Sequence, residues 1–398
     1  MEISIRKSKK MTEVGPSEDK YIRLSSDLLK TLSLDLGDYI YLDGKNGEEI
    51  ELETKYLHDE DNTLLLNTAF VSDNVYDKIL LLKKTVKRVE NLLIGCDPEF
   101  FLVHRPSKRV IPGQRYFTNA SNRQVGIDGA LMELRPHPNI NSTTVANNLH
   151  KLLLQAKNKV YSNKGINSSY KQEDIYMLGT SYYDKMSAGF HIHFGIPPKM
   201  LDTGSDEVRT AISHIANILD YYVGIPAIFP EPVIDSHRRT DIEISYGKPG
   251  DWRLQFPTFE YRVPGGFMLS SPTLTKGLLS LSWVVMDDIL ARIKICTDDF
   301  NNIGYLNSSK IAKQLYPNLI VDRLKLCGLM CNYNPKNMHK IVEDVFKDVE
   351  EMISFEKEKK QLINFYNCIT SGIANTHNIE ENWRLYNEFE KVEFHTVS

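Results

Sequence analysis

From residue 92 onward, the alternation of apolar and polar positions predicts four short strands, each interrupted by a pair of polar groups two residues apart. Ser187 to Gly195, S-A-G-F-H-I-H-F-G, puts His191 and His193 on one face and Phe190, Ile192 and Phe194 on the other, because successive strand side chains point to opposite sides. The same spacing recurs as Asp97 and Glu99 in L-L-I-G-C-D-P-E-F-F-L-V, as Glu133 and Arg135 in L-M-E-L-R-P, and as Glu260 and Arg262 in F-P-T-F-E-Y-R-V-P. Uncompensated charge on a covered sheet face is expensive. Such carboxylates are therefore expected to meet arginine or a metal ion.

Between and after these strands the period changes to that of helices. Asn141-Ser142-Thr143-Thr144 reads as the cap of a helix over Val145–Val160, with Leu149, Leu152, Leu153 and Ala156 on its buried side. A second helix is expected from about Asp206 to Tyr222, and His214 within it reads as a packed or solvated histidine. Leu274–Ile295 reads as a long buried helix, and the last hundred residues as helical with mixed charge. Arg105–Arg123 reads as a loop. In V-G-I-D-G, Asp128 fits two readings equally, a catalytic acid or a turn aspartate bonded to its own backbone.

Residues 1–88 have a different texture, with a strand, a short helix opening near Ser25 or Ser26, and a second strand between Tyr21 and Leu42. Further β pattern follows over Ile50–Leu57 and Thr63–Leu66. The 21–42 stretch resembles the small barrel or swapped-hairpin modules of bacterial transition-state regulators. A packing or homo-oligomerisation module is the expected role, because acidic and basic residues are interspersed and form no basic stripe for nucleic acid. Two domains are thus expected, a small β-rich accessory domain over 1–88 and a larger one over 89–398.

Composition changes this picture little. The 398 residues are 41% hydrophobic and 25% charged with a net charge of −4, which permits a sizeable core and gives no general attraction to nucleic acid or anionic membrane. No apolar run approaches the ~18 residues of a membrane span, and the first ten residues carry no apolar signal-peptide core. Five cysteines without a paired framework suit a reducing, cytoplasmic setting.

The chemistry concentrates in two places. One is the set of paired strands, in which hard carboxylate oxygens with an imidazole favour Mg²⁺ or Mn²⁺ over structural zinc. The other is Phe229–Arg262, where Arg238, Arg239, Lys248 and Arg253 gather between glycine-containing turns and would suit phosphate. Metal and arginine around phosphates are the needs of phosphoryl transfer, and without a Walker A motif any ATP would be held by the sheet. These residues also leave open a metal-dependent hydrolase built on Asp97/Glu99 and His191/His193, and a non-catalytic phage or regulatory binding protein.

In order along the chain, G-C-D-P-E-F-F-L-V, D-G-A-L-M-E-L-R-P, G-F-H-I-H-F-G, Y-G-K-P-G-D-W-R and F-E-Y-R resemble the motifs of the phage-type COOH-NH2 ligases, amidoligases of the glutamine synthetase and γ-glutamylcysteine ligase superfamily. The resemblance spans about residues 92–265. It implies an α+β fold with a curved antiparallel sheet covered by helices, and an ATP- and Mg²⁺-dependent ligase that joins a carboxylate to an amine through an acyl phosphate. The substrates could be amino acid, peptide or protein. In that reading Asp97, Glu99, Glu133, His193 and Glu260 hold metal, while His191, His193, Arg238, Arg239, Lys248 and Arg253 contact the nucleotide. Arg262, Arg135 and Asp128 act on the reacting groups. One departure from the family pattern is Gly189-Phe190 in place of Gly-Gly before H-x-H.

Overall fold

In the computed structural model the chain divides into two compact units, 1–91 and 92–398. The structure describes the strands of the first unit and, in the second, residues 92–117, 124–162, 170–196, 198–201, 205–241, 246–296, 312, 315–320, 322–332, 335–371 and 377–385. Among the described residues no helix is long and apolar enough to cross a membrane.

The first unit contains β1 (Ser4–Lys7), β2 (Tyr21–Leu24), β3 (Tyr39–Asp43), β4 (Glu49–Tyr56), β5 (Thr68–Val71) and β6 (Lys87–Arg88), in the order β1-β5-β2-β4-β3-β6. Parallel β1/β5 and β2/β4 pairs make the sheet mixed. The helix expected near Ser25 and the strand expected at 63–66 lie outside the described residues.

The second unit is an antiparallel sheet covered by helices. Its strands are β7 (Leu93–His104), β8 (Arg109–Ile111), β9 (Val125–Asp128), β10 (Leu131–Leu134), β11 (Ile175–Leu178), β12 (Tyr182–Tyr183), β13 (Met186–Ser187), β14 (Phe190–Gly195), β15 (Trp252–Gln255) and β16 (Thr258–Tyr261). The main path runs β15-β16-β14-β7-β10-β9, and β8 and β11 pair with the far half of β7; β12 and β13 form a separate ribbon. The loop expected over Arg105–Arg123 is corrected, since Arg109–Ile111 pairs with Leu102–His104 and Gly113–Arg115 forms a 3₁₀ turn. Its Gly, Pro and Arg content hid a short edge strand.

Period-2 patterning decides which side of this sheet is core. Ile94, Cys96, Phe100 and Leu102 of β7, Phe190, Ile192 and Phe194 of β14, Phe259 and Tyr261 of β16, and Met132 and Leu134 of β10 all join one large apolar cluster. Helices α1 (Ser142–Tyr161), α2 (Asp206–Leu219) and α3 (Pro272–Cys296) contribute to the same cluster. The amide of Thr144 donates to Asn141 Oδ1 at 3.0 Å, which caps α1, and Val145, Leu149, Leu152, Leu153, Ala156 and Val160 turn inward at helical spacing.

Helix α3 is apolar nearly all round because α1 and a later helix cover it. Gly277 in α3 allows close approach, since a Cβ there would lie 2.3 Å from Phe365. The C-terminal part is helical as expected, with α4 (Arg323–Cys331), α5 (Pro335–Glu350) and α6 (Phe355–Thr370).

The second expected helix is not regular to Tyr222. It changes at Asp220 to a π turn, Asp220–Gly224, closed by the amide of Ile225 donating to the carbonyl of Asp220. Pro226 follows and has no N–H for an α-helical bond to Tyr222, which favours the wider turn.

Candidate active site

Register across β15, β16, β14, β7 and β10 assembles the polar pairs into one stripe. Arg253 lies opposite Glu260, Glu260 opposite His193, His191 opposite Asp97, and Glu99 opposite Glu133. Directly opposed residues of antiparallel strands share a face, so all these groups project away from the large core. Further along β7 the same face becomes apolar again, where Phe101 and Val103 join Leu131, Leu178 and Ala188 in a small second cluster. The stripe is thus a polar window set between two apolar regions.

Its centre is Asp97. His193 Nε2 lies 3.0 Å from Asp97 Oδ2 and His191 Nδ1 lies 3.0 Å from Asp97 Oδ1, with Glu260 Oε1 another 3.5 Å from His191 Nδ1. Burial opposes ionisation of Asp97, yet the hydrogen bonds and charges of the two histidines outweigh it and hold the carboxyl well below its usual range. Burial likewise opposes the charged form of His191, but Asp97, Glu99 and Glu260 raise its pKa overall. On its other side, His191 Nε2 pairs with the hydroxyl of Tyr246.

Arginines border the stripe. Arg253 pairs through Nε with Glu260 Oε2, and Arg262 Nε lies 3.2 Å from Glu260 Oε1. Glu260 itself is wholly buried. At the other end, Arg135 pairs with Glu133 and lies across Gly126, where a Cβ would come within 2.6 Å of its guanidinium. Glu99 accepts from the amide of Gly189 at 2.6 Å, and burial pushes its carboxyl up to about 7. Asp128 is exposed on the same face, at the end of β9.

Asp97, His193 and Glu260 each offer one ligand atom, and these atoms lie within 4.8 Å of one another. Asp97 Oδ1 and Glu260 Oε1 are buried without a hydrogen bond. These two hard oxygens, met only by the ion-pair contacts of His191 and Arg262 without well-aligned hydrogen bonds, fit a divalent cation such as Mg²⁺ beside the His193 imidazole. Glu99 and Glu133 sit next to this trio on β7 and β10, and their facing like charges would also be relieved by a cation.

Three expected nucleotide contacts are placed differently. Arg238 and Arg239 are fully buried, Arg238 with its terminal nitrogens on backbone carbonyls and Arg239 in an ion pair with Glu231, its nitrogens making no hydrogen bond. Arg238 donates to the carbonyls of Val263 at 2.7 Å and Arg262 at 2.9 Å, and Arg239 Nη1 lies 2.8 Å from Glu231 Oε2. Neither has the exposed guanidinium expected of a phosphate ligand. Gly247, at φ +66, leaves room for Arg238, since a Cβ there would lie 1.8 Å from Nη1. Lys248 is exposed, and its charge reaches Cys331 of α4. His191 is enclosed by Asp97, Glu260 and Tyr246.

Tyr246 is a site residue that sequence reasoning missed. Its ring lies under the guanidinium groups of both Arg238, at 4.9 Å, and Arg262, at 4.8 Å. The available signal was an aromatic residue opening the Y-G-K-P-G-D-W-R turn among four cations. Asp251 in the same turn was also missed; it accepts from Gly247 N at 3.0 Å and lies 3.7 Å from Arg262 Nη1.

Comparison with known proteins adds a family. A model described as phage phiEco32-like COOH.NH2 ligase-type 2 matches residues 94–303, which contain every polar residue of the stripe. No curated protein matches the sequence. Among solved structures, a bifunctional glutathione synthetase from Pasteurella multocida is similar at 11% identity and a TM-score of 0.34, covering 75% of this chain and 51% of its own. The chain therefore spans about half the length of that protein. A structure titled a novel glutamine synthase homolog is similar at 10% identity and a TM-score of 0.33, covering 87% of this chain and 83% of its own.

Proposed function

The chain belongs to the phage phiEco32-like COOH-NH2 ligase type 2 family, and from that premise we propose that it is an ATP- and Mg²⁺-dependent ligase forming an amide through an acyl phosphate. The observation that carries this reading is the convergence of Asp97, His193 and Glu260 beside Arg262 and Arg253 on one face of the sheet. A carboxylate oxygen of the substrate attacks the terminal phosphorus of ATP, the bond to ADP breaks, and an acyl phosphate forms. An amine then attacks the acyl carbon, phosphate leaves, and the amine gives up a proton. The products are amide, ADP and phosphate.

Asp97, His193 and Glu260, with Glu99 and Glu133 beside them, would hold the divalent cation, which when bound offsets the charge of the nucleotide phosphates. The chain's own groups supply orientation and charge. Arg262, steadied by Asp251, Glu260 and the ring of Tyr246, stabilises the transferring phosphoryl group and the oxyanion. Arg253 borders the same space, and its half-exposed side chain is available to phosphate oxygens. Arg135 orients Glu133, and Asp128 stands at the rim where the substrate amine or carboxylate would enter.

The test is trapping with hydroxylamine, which replaces the natural amine. With candidate carboxylates, ATP and Mg²⁺, ADP and hydroxamate should form in equal amounts. Arg262→Ala should lower the rate by about 100-fold, in line with the ~3 kcal/mol of a charge-stabilising donor in comparable sites. Amide or ester cleavage by metal alone, at a rate that ATP leaves unchanged, would instead make the stripe a hydrolase centre.

A further inference from the structure

Arg238 and Arg239 are consecutive in a short helical turn, His237–Thr240, and both are fully buried, yet only one has a counter-charge. Arg239 faces Glu231. Arg238 has no carboxylate at ion-pair distance among the described residues, and its guanidinium rests on two carbonyl oxygens and the ring of Tyr246. An uncompensated buried cation is expensive, and an apolar side chain of similar volume would serve packing better.

The use of this fork lies in the segment it holds. Arg262 is the first residue past β16, whose pairing ends at Tyr261, opposite Ile192 on one side and Trp252 on the other. The chain is next tied to β14 at Pro264, whose carbonyl accepts from the amide of Phe190 at 2.9 Å. Between these points the amide of Arg262 donates to the carbonyl of Asp251 at 3.0 Å, but the carbonyls of Arg262 and Val263 receive no backbone donor among the described residues. Arg238 takes over where the ladder stops. Its Nη2 donates to Arg262 at 2.9 Å and its Nη1 to Val263 at 2.7 Å, so one planar group fixes both ends of a single peptide unit.

A second contact acts on the side chain. The ring of Tyr246 touches the guanidinium groups of Arg238 and Arg262 at almost the same distance, and the amide of Tyr246 donates to the carbonyl of Arg238 at 3.3 Å. Gly247 follows with φ +66, and a Cβ there would lie 1.8 Å from Arg238 Nη1. The turn is therefore shaped around this one side chain.

We propose that Arg238 is a positioning residue for Arg262, replacing the strand pairing that β16 gives up and so presenting the Arg262 guanidinium to the stripe. Arg238 exposes no surface and meets no substrate itself. Its effect on turnover, which rests on the ligase reading, passes through Arg262 alone. Lysine at 238 would keep the charge and lose the fork, because a single ammonium cannot hold two successive carbonyls in fixed directions.

Hydroxamate kinetics on the full chain compare Arg238→Lys, Arg262→Ala and the double variant. Arg238→Lys should lower kcat about 10- to 100-fold, the scale of a misplacement of about 1 Å, with KM for ATP changed less than ~3-fold. In the Arg262→Ala background the same substitution should change kcat less than ~3-fold, whereas a general loss of structure would multiply the two effects. Gly247→Ala displaces Arg238 without removing it and should repeat the pattern; it decides if thermal unfolding shows that Arg238→Lys does not fold. The Nε–H signal of Arg262 in NMR needs neither nucleotide nor turnover, and it should shift and exchange faster with water in both variants. Absence of hydroxamate from the unaltered protein would end the ligase reading and leave this signal to decide the positioning. The proposal is overturned if kcat is unchanged in the folded variants, if its loss multiplies with that of Arg262→Ala, or if the Arg262 signal stays as it was.

Discussion

At the scale of single residues, Tyr246 joins groups that are far apart in sequence, holding His191 by its hydroxyl and two guanidinium groups by its ring. Tyr246→Phe keeps the ring and removes only the bond that orients the imidazole. Turnover of ATP in the hydroxylamine assay should fall on the order of ten- to a hundredfold, the range seen when a supporting bond to a site histidine is lost. The unfolding midpoint should change little. Unaltered kcat and KM for ATP in that variant would remove Tyr246 from the machinery. No spacing in the sequence could have linked residues 191 and 246, whereas His191 and His193 were legible because strand period alone places them on one face. The division of labour between the histidines was not legible, because it depends on which residue of β7 stands opposite each.

At the scale of elements, the π turn puts a carboxylate where sequence periodicity predicts plain helix. Asp220 is pushed from 3.8 up to about 7, first by burial and then by the charge of Asp251, against the opposing bonds from Gly250 and Tyr261 and the charge of Arg323. Between about pH 4 and 7 the folded chain therefore keeps a proton that the unfolded chain has released. That contribution favours folding at the acid end of the window and is lost as pH rises through 7. Asp220→Asn should gain on the unaltered protein between pH 5 and pH 8, by up to ~3 kcal/mol, since only the part of the rise between pH 5 and 7 falls in that range. Unfolding midpoints for both proteins across that range check it, and parallel curves would place the proton elsewhere. Long helices such as α3 were readable to within a few residues, but the turn at Asp220 was not, since its cause is one missing N–H six residues later.

At the scale of the whole molecule, the family match begins at residue 94 and the second unit at residue 92. A chain starting at residue 89 should therefore fold and retain ATP-Mg²⁺ binding, with a single cooperative transition in calorimetry. Insoluble or nucleotide-blind protein would mean that the first unit completes the second. The α+β class and the antiparallel sheet were implied by the family resemblance, while periodicity alone made the four paired strands and the main helices legible. The edge strand β8 and the strand β11 were not, because three or four residues carry too little pattern to stand out from a loop.

The long strand β7 has a consequence in time. It is made early, yet β14 pairs with it only after about 90 further residues, which at 5–20 residues per second is a wait on the order of 5 to 20 seconds. During that interval the ribosome holds an apolar ribbon, Leu-Ile-Gly-Cys to Phe-Phe-Leu-Val, with one hydrogen-bonding edge still open. The charges of Asp97 and Glu99 and the ring of Pro98 interrupt the middle of that ribbon. Charge and a proline ring in the middle of an open edge oppose its pairing with another chain.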